Sequence, residues 1–252
     1  MTDSLPAGPF GRRAIVSGIH ANNEELPVIP WSLLDTASIP NGGGELRLKQ
    51  RGQEFSIMLG TNELMNSRLS GSEQALATLA CDRIAGRPAP HLLIGGLGMG
   101  FTLRAALTVI GGDARVTVAE LVPAVIAWAR GPMAEVFAGS LDDPRVAIHE
   151  GDVAAVIQAG RASYDAILLD VDNGPDGLTH AANDGLYDRK GLLAARDALR
   201  PGGVLAVWSS GPDSRFTKRL RDARFSVDEV ATRANGKRGG ARHMIWIAVK
   251  AP

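Results

Sequence analysis

The sequence predicts an α/β fold: a seven-stranded, mostly parallel sheet with helices on both faces and an antiparallel last strand, preceded by a small N-terminal β-hairpin region. Three observations carry this. From His91 onward, near-continuous apolar runs alternate with segments of helical period, the pattern of buried parallel strands joined by crossover helices. The first of those runs opens directly into a glycine-rich turn, "GGLGMG". The last two runs, "FSVDEV" and "HMIWIAVK", are joined by the glycine-rich "ATRANGKRGGAR". That linker is a poor helix candidate, so the two runs pair antiparallel at one edge.

Residues 1 to about 44 are rich in Pro, Gly and Asn and read as an irregular arm with one short strand. "ELRLKQRGQEFSIML" alternates on both sides of Arg51-Gly52-Gln53, which predicts a hairpin of Glu45–Gln50 with Glu54–Leu59. "SGSEQALATLACDRIAG" has helical spacing at Leu76, Leu79, Ala80 and Ile84. Ser72 is its expected N-cap and Gly86 its stop. "RPAP" then breaks the chain, and the expected boundary lies there. Residues 1–88 would form the arm, hairpin and helix, and residues 89–252 the nucleoside-binding catalytic domain. In that second part Leu92–Ile94 is the first strand, with its helix over Phe101–Ile110. "RVTVAE" precedes the helix "PAVIAWARGPMAEVF", and "RVAIHE" precedes "VAAVIQAG". "DAILLD" leads through a loop to the helix "LYDRKGLLAARDALR", and "GVLAVWSS" leads to "PDSRFTKRLRDA".

The 252 residues, 45% of them hydrophobic, suffice for one large α/β domain with a small appendage. Lys+Arg and Asp+Glu both number 27. No whole-molecule basic field is therefore present, and nucleic acid is not the expected partner. The basic residues near the C-terminus, Arg215 to Arg242, are diluted by four acids and read as a solvated helix face and loop. One cysteine excludes an internal disulfide framework and a cysteine-cluster zinc site, and no metal is expected. No apolar stretch reaches the roughly 18 residues of a membrane span, and the first residues carry no signal-peptide core. The expected setting is cytoplasmic, away from membranes.

In an open α/β sheet, ligands bind outside the carboxyl ends of the strands. The turn after the first strand fails the G-x-G-x-x-G dinucleotide pattern, because its third glycine would fall on Phe101. The tighter G-x-G-x-G of Gly96, Gly98 and Gly100 fits. Glu120 ends the second strand, where an acid can accept hydrogen bonds from both hydroxyls of a ribose. Asp152 follows the third strand, placed either to accept from the exocyclic amine of a purine or to cap the next helix. Asp170 ends the fourth. Four such positions in order point to a nucleoside site. Asp170, Asp172, Asp176 and Asp184 lie close together and favour a cationic acceptor, unless they are a solvated loop with a cap at Asn183 or Asp184. A carboxylate such as Asp170 can hold an ammonium, orient it and take its proton. His180, in the same loop, is a weaker base candidate, and Trp208, at the end of the fifth strand, packs either near the donor or, as the preferred reading, in the core.

The motifs "LLIGGLGMGFTLRAAL", "VAELVPAVIAWAR", "YDAILLDVDNGP" and "ALRPGGVLAVWS" resemble those of class I S-adenosylmethionine-dependent transferases with a Rossmann-like fold. Within these the chain is most similar to the spermidine synthase family over roughly residues 45 to 210. The resemblance implies that the loop of Gly96, Gly98, Met99 and Gly100 lies at the donor, S-adenosylmethionine or its decarboxylated form, with no metal. It implies that Glu120 holds the ribose, Asp152 the adenine, and that Asp170 is both donor-contacting and the catalytic acid-base residue. Glu73, Asp172 and Tyr187 would line the acceptor side. The family forms dimers or tetramers, and the hairpin offers strand edges for that.

The departures from the family pattern are specific. Met99 stands where aminopropyltransferases place the aspartate that holds the amino group of the decarboxylated donor. The usual Glu-Ile-Asp is Glu120-Leu121-Val122, the usual Tyr-His-Glu is Gly71-Ser72-Glu73, and the second acid after Asp170 is Asn173. The expected activity is therefore methyl transfer to a small amine-bearing acceptor. The alternatives are aminopropyl transfer from the decarboxylated donor and a non-catalytic nucleoside-binding module.

Overall fold

The computed structural model describes Met1, residues 29–171, Pro175 and residues 184–252. Its first sheet is antiparallel, with strands β1 (Ser32–Ser38), β2 (Glu45–Arg51), β3 (Glu54–Leu59) and β4 (Asn62–Asn66) in that order. The predicted hairpin is its centre, in register from Leu46 opposite Leu59 to Arg51 opposite Glu54. The flanking β1 and β4 add to it. The sequence showed β4 least, because "NELMN" is short and polar at every second or third position. Helix α1 (Gly71–Arg83) follows. Ser70, not Ser72, holds the cap position. Ser72 is fully buried one residue inside the helix, where its hydroxyl faces neighbouring side chains and not the helix's free amides.

The second sheet is built from β5 (His91–Gly95), β6 (Arg115–Glu120), β7 (Val146–Glu150), β8 (Tyr164–Leu169), β9 (Leu199–Ser209), β10 (Phe225–Arg233) and β11 (Arg242–Lys250). Its order is β10-β11-β9-β8-β5-β6-β7. β5 pairs parallel with β6 and β8, whereas β11 runs antiparallel to both β9 and β10. The antiparallel pair was expected as an edge. The last strand in fact lies inside the sheet and β10 forms the edge. The connecting helices are α2 (Phe101–Val109), α3 (Pro123–Arg130), α4 (Ala134–Phe137), α5 (Val153–Ala159), α6 (Asp184–Tyr187), α7 (Arg189–Ala198) and α8 (Ser214–Asp222). Two predicted long helices are each split. Gly131-Pro132 separates α3 from α4, since proline cannot continue the ladder. Asp188 ends α6 and caps α7 by accepting from Gly191 N at 2.7 Å.

Successive residues of the central strands face opposite layers. Leu92, Ile94, Ala166 and Leu168 pack with buried residues of α1, α2 and α3. Leu93, Ile167 and Leu169 pack with those of α5, α7 and α8. The small sheet shares the first core: Leu46, Leu48, Phe55 and Ile57 belong to the same cluster as Leu76, Leu92 and Val118. Trp128 Nε1 of α3 donates to Asp35 of β1 at 2.7 Å. At the amino end of β8, Asp165 is 3% exposed. It accepts from Arg87 (2.8 Å), Arg200 (2.5 Å) and His91 N (2.8 Å). Burial opposes its charge, yet these donors hold its pKa below the usual carboxylate range. The chain runs β5-β6-β7 to one side and then crosses to β8, so the strand order reverses between β5 and β8. Their carboxyl ends flank the crevice in which such sheets bind ligands.

Candidate active site

Gly95 and Asp170 end the two strands that border this crevice, and Asp170 N donates to Gly95 O at 3.0 Å. The next residue, Gly96, has φ +88°, and a Cβ there would lie 2.4 Å from Asp170 O. Gly100 has φ +74°, and its Cβ would lie 2.4 Å from the Phe137 ring. Only glycine combines that backbone conformation with so close an approach. The fold itself thus demands a bare loop.

Glu120 is 8% exposed. Its carboxylate accepts from Leu97 N and Val122 N, both at 2.9 Å, so it ties the glycine loop to the end of β6. Burial raises its pKa, and these backbone donors oppose the rise. Asp152 accepts from Ala154 N at 2.8 Å and caps α5, the second of its two sequence readings.

The cleft beside the loop is lined by Leu64, Met65 and Asn66 of β4, Glu73 of α1, the loop from Leu97 to Phe101, Asp170 and Trp208. The cleft has a volume of about 90 Å³, room for a chain of a few atoms. Met99 is 4% exposed and forms part of its apolar wall. Two acids face each other here. The Asp170 pKa is pushed up to about 7 by burial and by the charge of Glu73, against a hydrogen bond from Thr102. The Glu73 pKa is also raised by burial, against a hydrogen bond from Ser72. Thr102, in the first turn of α2, donates to Asp170 Oδ2 at 2.5 Å and lies 3.4 Å from the Glu73 carbonyl oxygen. It fixes Asp170 against α1. Such a pair in a cleft can hold a cation or exchange a proton near neutral pH.

The structure therefore brings Gly98, Met99, Gly100, Glu73 and Asp170 together around one cleft. Gly96 lies directly before it. Glu120 is bonded to it through Leu97, and Asp152 lies at the start of α5. Tyr187 is elsewhere: it belongs to the core on the other face of the sheet, its ring edge-on to Phe216 at 5.6 Å. Asp172, Asp176, His180 and Asn183 lie outside the described residues. Thr102, Met65 and His243 escaped the sequence reading, Ser72 was read only as a helix cap and a departure from the family pattern, and Trp208 both packs against the first core and lines the cleft. Thr102 carried one signal, its place as the second residue of the helix that follows the glycine loop. Ser72 and His243 carried none, being 171 positions apart. Among the described residues, no group of three His, Cys, Asp or Glu side chains could hold a metal ion. No helix among them is long and apolar enough to cross a membrane.

The strand order, the glycine turn after β5 and the acids at the strand ends define an α/β domain of the class I methyltransferase type. The model of the spermine/spermidine synthase domain matches residues 85–216, just over half of the chain, and the chain belongs to that family. Curated relatives include polyamine aminopropyltransferases, among them that of Nitrosomonas europaea, 36% identical over 122 residues (43% of this chain, 36% of that protein). Putrescine N-methyltransferase 2 of Nicotiana attenuata is 37% identical over 123 residues (48% of this chain, 30% of that protein). The matched stretch spans about a third of the length of these relatives. The spermidine synthase of Thermotoga maritima superposes with a TM-score of 0.65 at 18% identity, covering 87% of this chain and 72% of that one. That likeness shows the fold.

Proposed function

We propose that this chain transfers an aminopropyl group from decarboxylated S-adenosylmethionine to a small polyamine-type amine. The observation that carries the reading is the Glu73–Asp170 pair, facing one cleft beside the glycine loop. Displacement at a sulfonium carbon needs in-line positioning and an unprotonated nitrogen. An amine arrives mostly as an ammonium. Asp170, ionising near neutral pH, would hold that ammonium and take its proton. Thr102 would keep the carboxyl oriented, and Met65, Met99 and Trp208 would exclude water from the reacting atoms. Glu120 would present its remaining lone pairs to the ribose and Asp152 its free oxygen to the adenine. Asp172 and Tyr187 remain proposed acceptor-side residues by resemblance alone.

The family match and the aminopropyltransferase relatives support this reading over the methyl transfer expected from Met99. With Met99 in the loop, the ammonium end of the donor has no loop carboxylate, and among the described residues Glu73 and Asp170 are the acids that line the cleft. Calorimetric titration with both donors, followed by a putrescine turnover assay, tests the proposal. The expected result is tighter binding of the decarboxylated donor and formation of an aminopropylated product. Preference for S-adenosylmethionine with a methylated product would overturn it, and binding of neither donor would leave only a module without this chemistry.

A further inference from the structure

We propose that Ser72 and His243 are positioning residues that form a proton exit from the Glu73–Asp170 pair. The inference rests on the reading that an amine enters the cleft as an ammonium. The Ser72 hydroxyl donates to Glu73 Oε2 at 2.7 Å, and His243 Nδ1 lies 2.9 Å from the same hydroxyl oxygen. Ser72 is fully buried, inside α1. Its side chain serves no helix cap and links a carboxyl on α1 to an imidazole on β11. The His243 ring packs edge-on to Trp208, a wall of the cleft, with centroids 4.8 Å apart.

One hydroxyl between a carboxyl and an imidazole supports two hydrogen-bond directions. With Glu73 protonated, its O–H donates to Ser72 Oγ, and the Ser72 hydroxyl donates to a bare Nδ1. With Glu73 ionised, Ser72 donates to the carboxylate and Nδ1–H donates to Ser72. Passing from the first to the second moves one proton from Glu73 to His243 and leaves an imidazolium. Each turnover on an ammonium acceptor forms one C–N bond, breaks one C–S bond, turns the sulfonium into a neutral thioether and releases one proton. Among the described residues, Asp170 and Glu73 are the acids at the cleft that can receive it. His243 is only half-buried, so it can pass the proton on to solvent. Burial lowers its pKa, which favours release.

Among the described residues, the charged groups around this chain of bonds are few. Glu73 and Asp170 face it from α1 and the end of β8. On the strands beside His243, Thr232 lies opposite it and Arg233 lies opposite Arg242. Lys237 and Arg238 sit in the turn Gly236–Arg238 that packs on α1.

Histidine ¹⁵N NMR titrations of the wild type, Glu73→Gln, Ser72→Ala and the double variant test the link without any turnover. Glu73→Gln is expected to lower the His243 midpoint by roughly half a pH unit. In the Ser72→Ala background that effect should fall below half its size. An unmoved His243 midpoint in Glu73→Gln, or an equal shift with and without Ser72, overturns the proposal. On an amine that the wild type turns over, His243→Gln and Ser72→Ala should lower kcat about tenfold, with the amine KM within twofold. Ser72→Thr, which keeps the hydroxyl, should restore most of the rate. An unchanged kcat in His243→Gln removes the exit role. A wild type that turns over no amine sinks the proposed function, and the NMR arm still decides whether Ser72 couples the two groups.

Discussion

At Asp170 the carboxyl sits among apolar neighbours, beside a second acid, with one hydroxyl to steady it. Its pKa rises from the ordinary 3.8 to about 7. The sign of the pH effect follows. The folded state binds the proton more tightly than the unfolded state, so this group's contribution to stability declines as pH rises from about 4 through about 7. Asp170→Asn should abolish turnover, keep donor affinity within about threefold, and remove that decline. Urea melts at pH 5 and pH 8 check it: the variant should gain on the wild type by about 1–3 kcal/mol at the higher pH only. In the wild type, kcat/KM should rise with pH around a midpoint near 7, and a flat profile would deny Asp170 the base role. This residue was legible because strand ends can be counted along the chain. Glu73 was reached only through the family pattern. Ser72 and His243 were not legible, because no periodicity links a helix start to the final strand. The Met99 side chain was read as the mark of a different donor. Its burial in the apolar wall gives it a packing role as well.

The glycine loop and its two flanking strands act as one element. Gly96 and Gly100 are fixed by backbone and ring contacts, and Glu120 bonds the loop from below. Gly100→Ala must therefore move Phe137 or strain the turn. It should lower donor affinity at least tenfold and the Tm by several degrees, measured by calorimetry and thermal melts. Full donor affinity in Gly100→Ala would show that the loop backbone does not touch the donor. Strands and crossover helices were legible from hydrophobic period. Helix breaks were less so, although Gly131-Pro132 and the cap at Asp188 are both visible in hindsight as punctuation. β4 escaped, and β1 was legible only as one unplaced short strand in the arm, because edge strands of a half-exposed sheet have weak alternation: β1 is exposed at nearly every position.

Across the whole molecule, one core joins the small sheet to the large one. Ile57 of β3 and Leu168 of β8 are both fully buried in it. Ile57→Ala and Leu168→Ala should each cost about 2–4 kcal/mol. Each should keep a single cooperative unfolding transition, followed by both fluorescence and far-UV circular dichroism. Two separated transitions in Ile57→Ala would mean that the small sheet folds on its own. The shared core was not legible, because hydrophobic period along one element does not say which other element it packs against. The position of β11 between β9 and β10 bears on how the chain is made. A ribosome delivers β9 and β10 before Arg242–Lys250, so each strand waits with a row of unpaired backbone groups until the insert arrives. Trp246 of β11 is fully buried and donates to Thr217 at 2.8 Å, so the insertion also closes the core over α8. Translation stalled before residue 242 leaves a nascent chain with two sticky edges and His243 missing from beside Ser72. On the proposed exit route, the link from Glu73 through Ser72 to His243 forms only once β11 is in place.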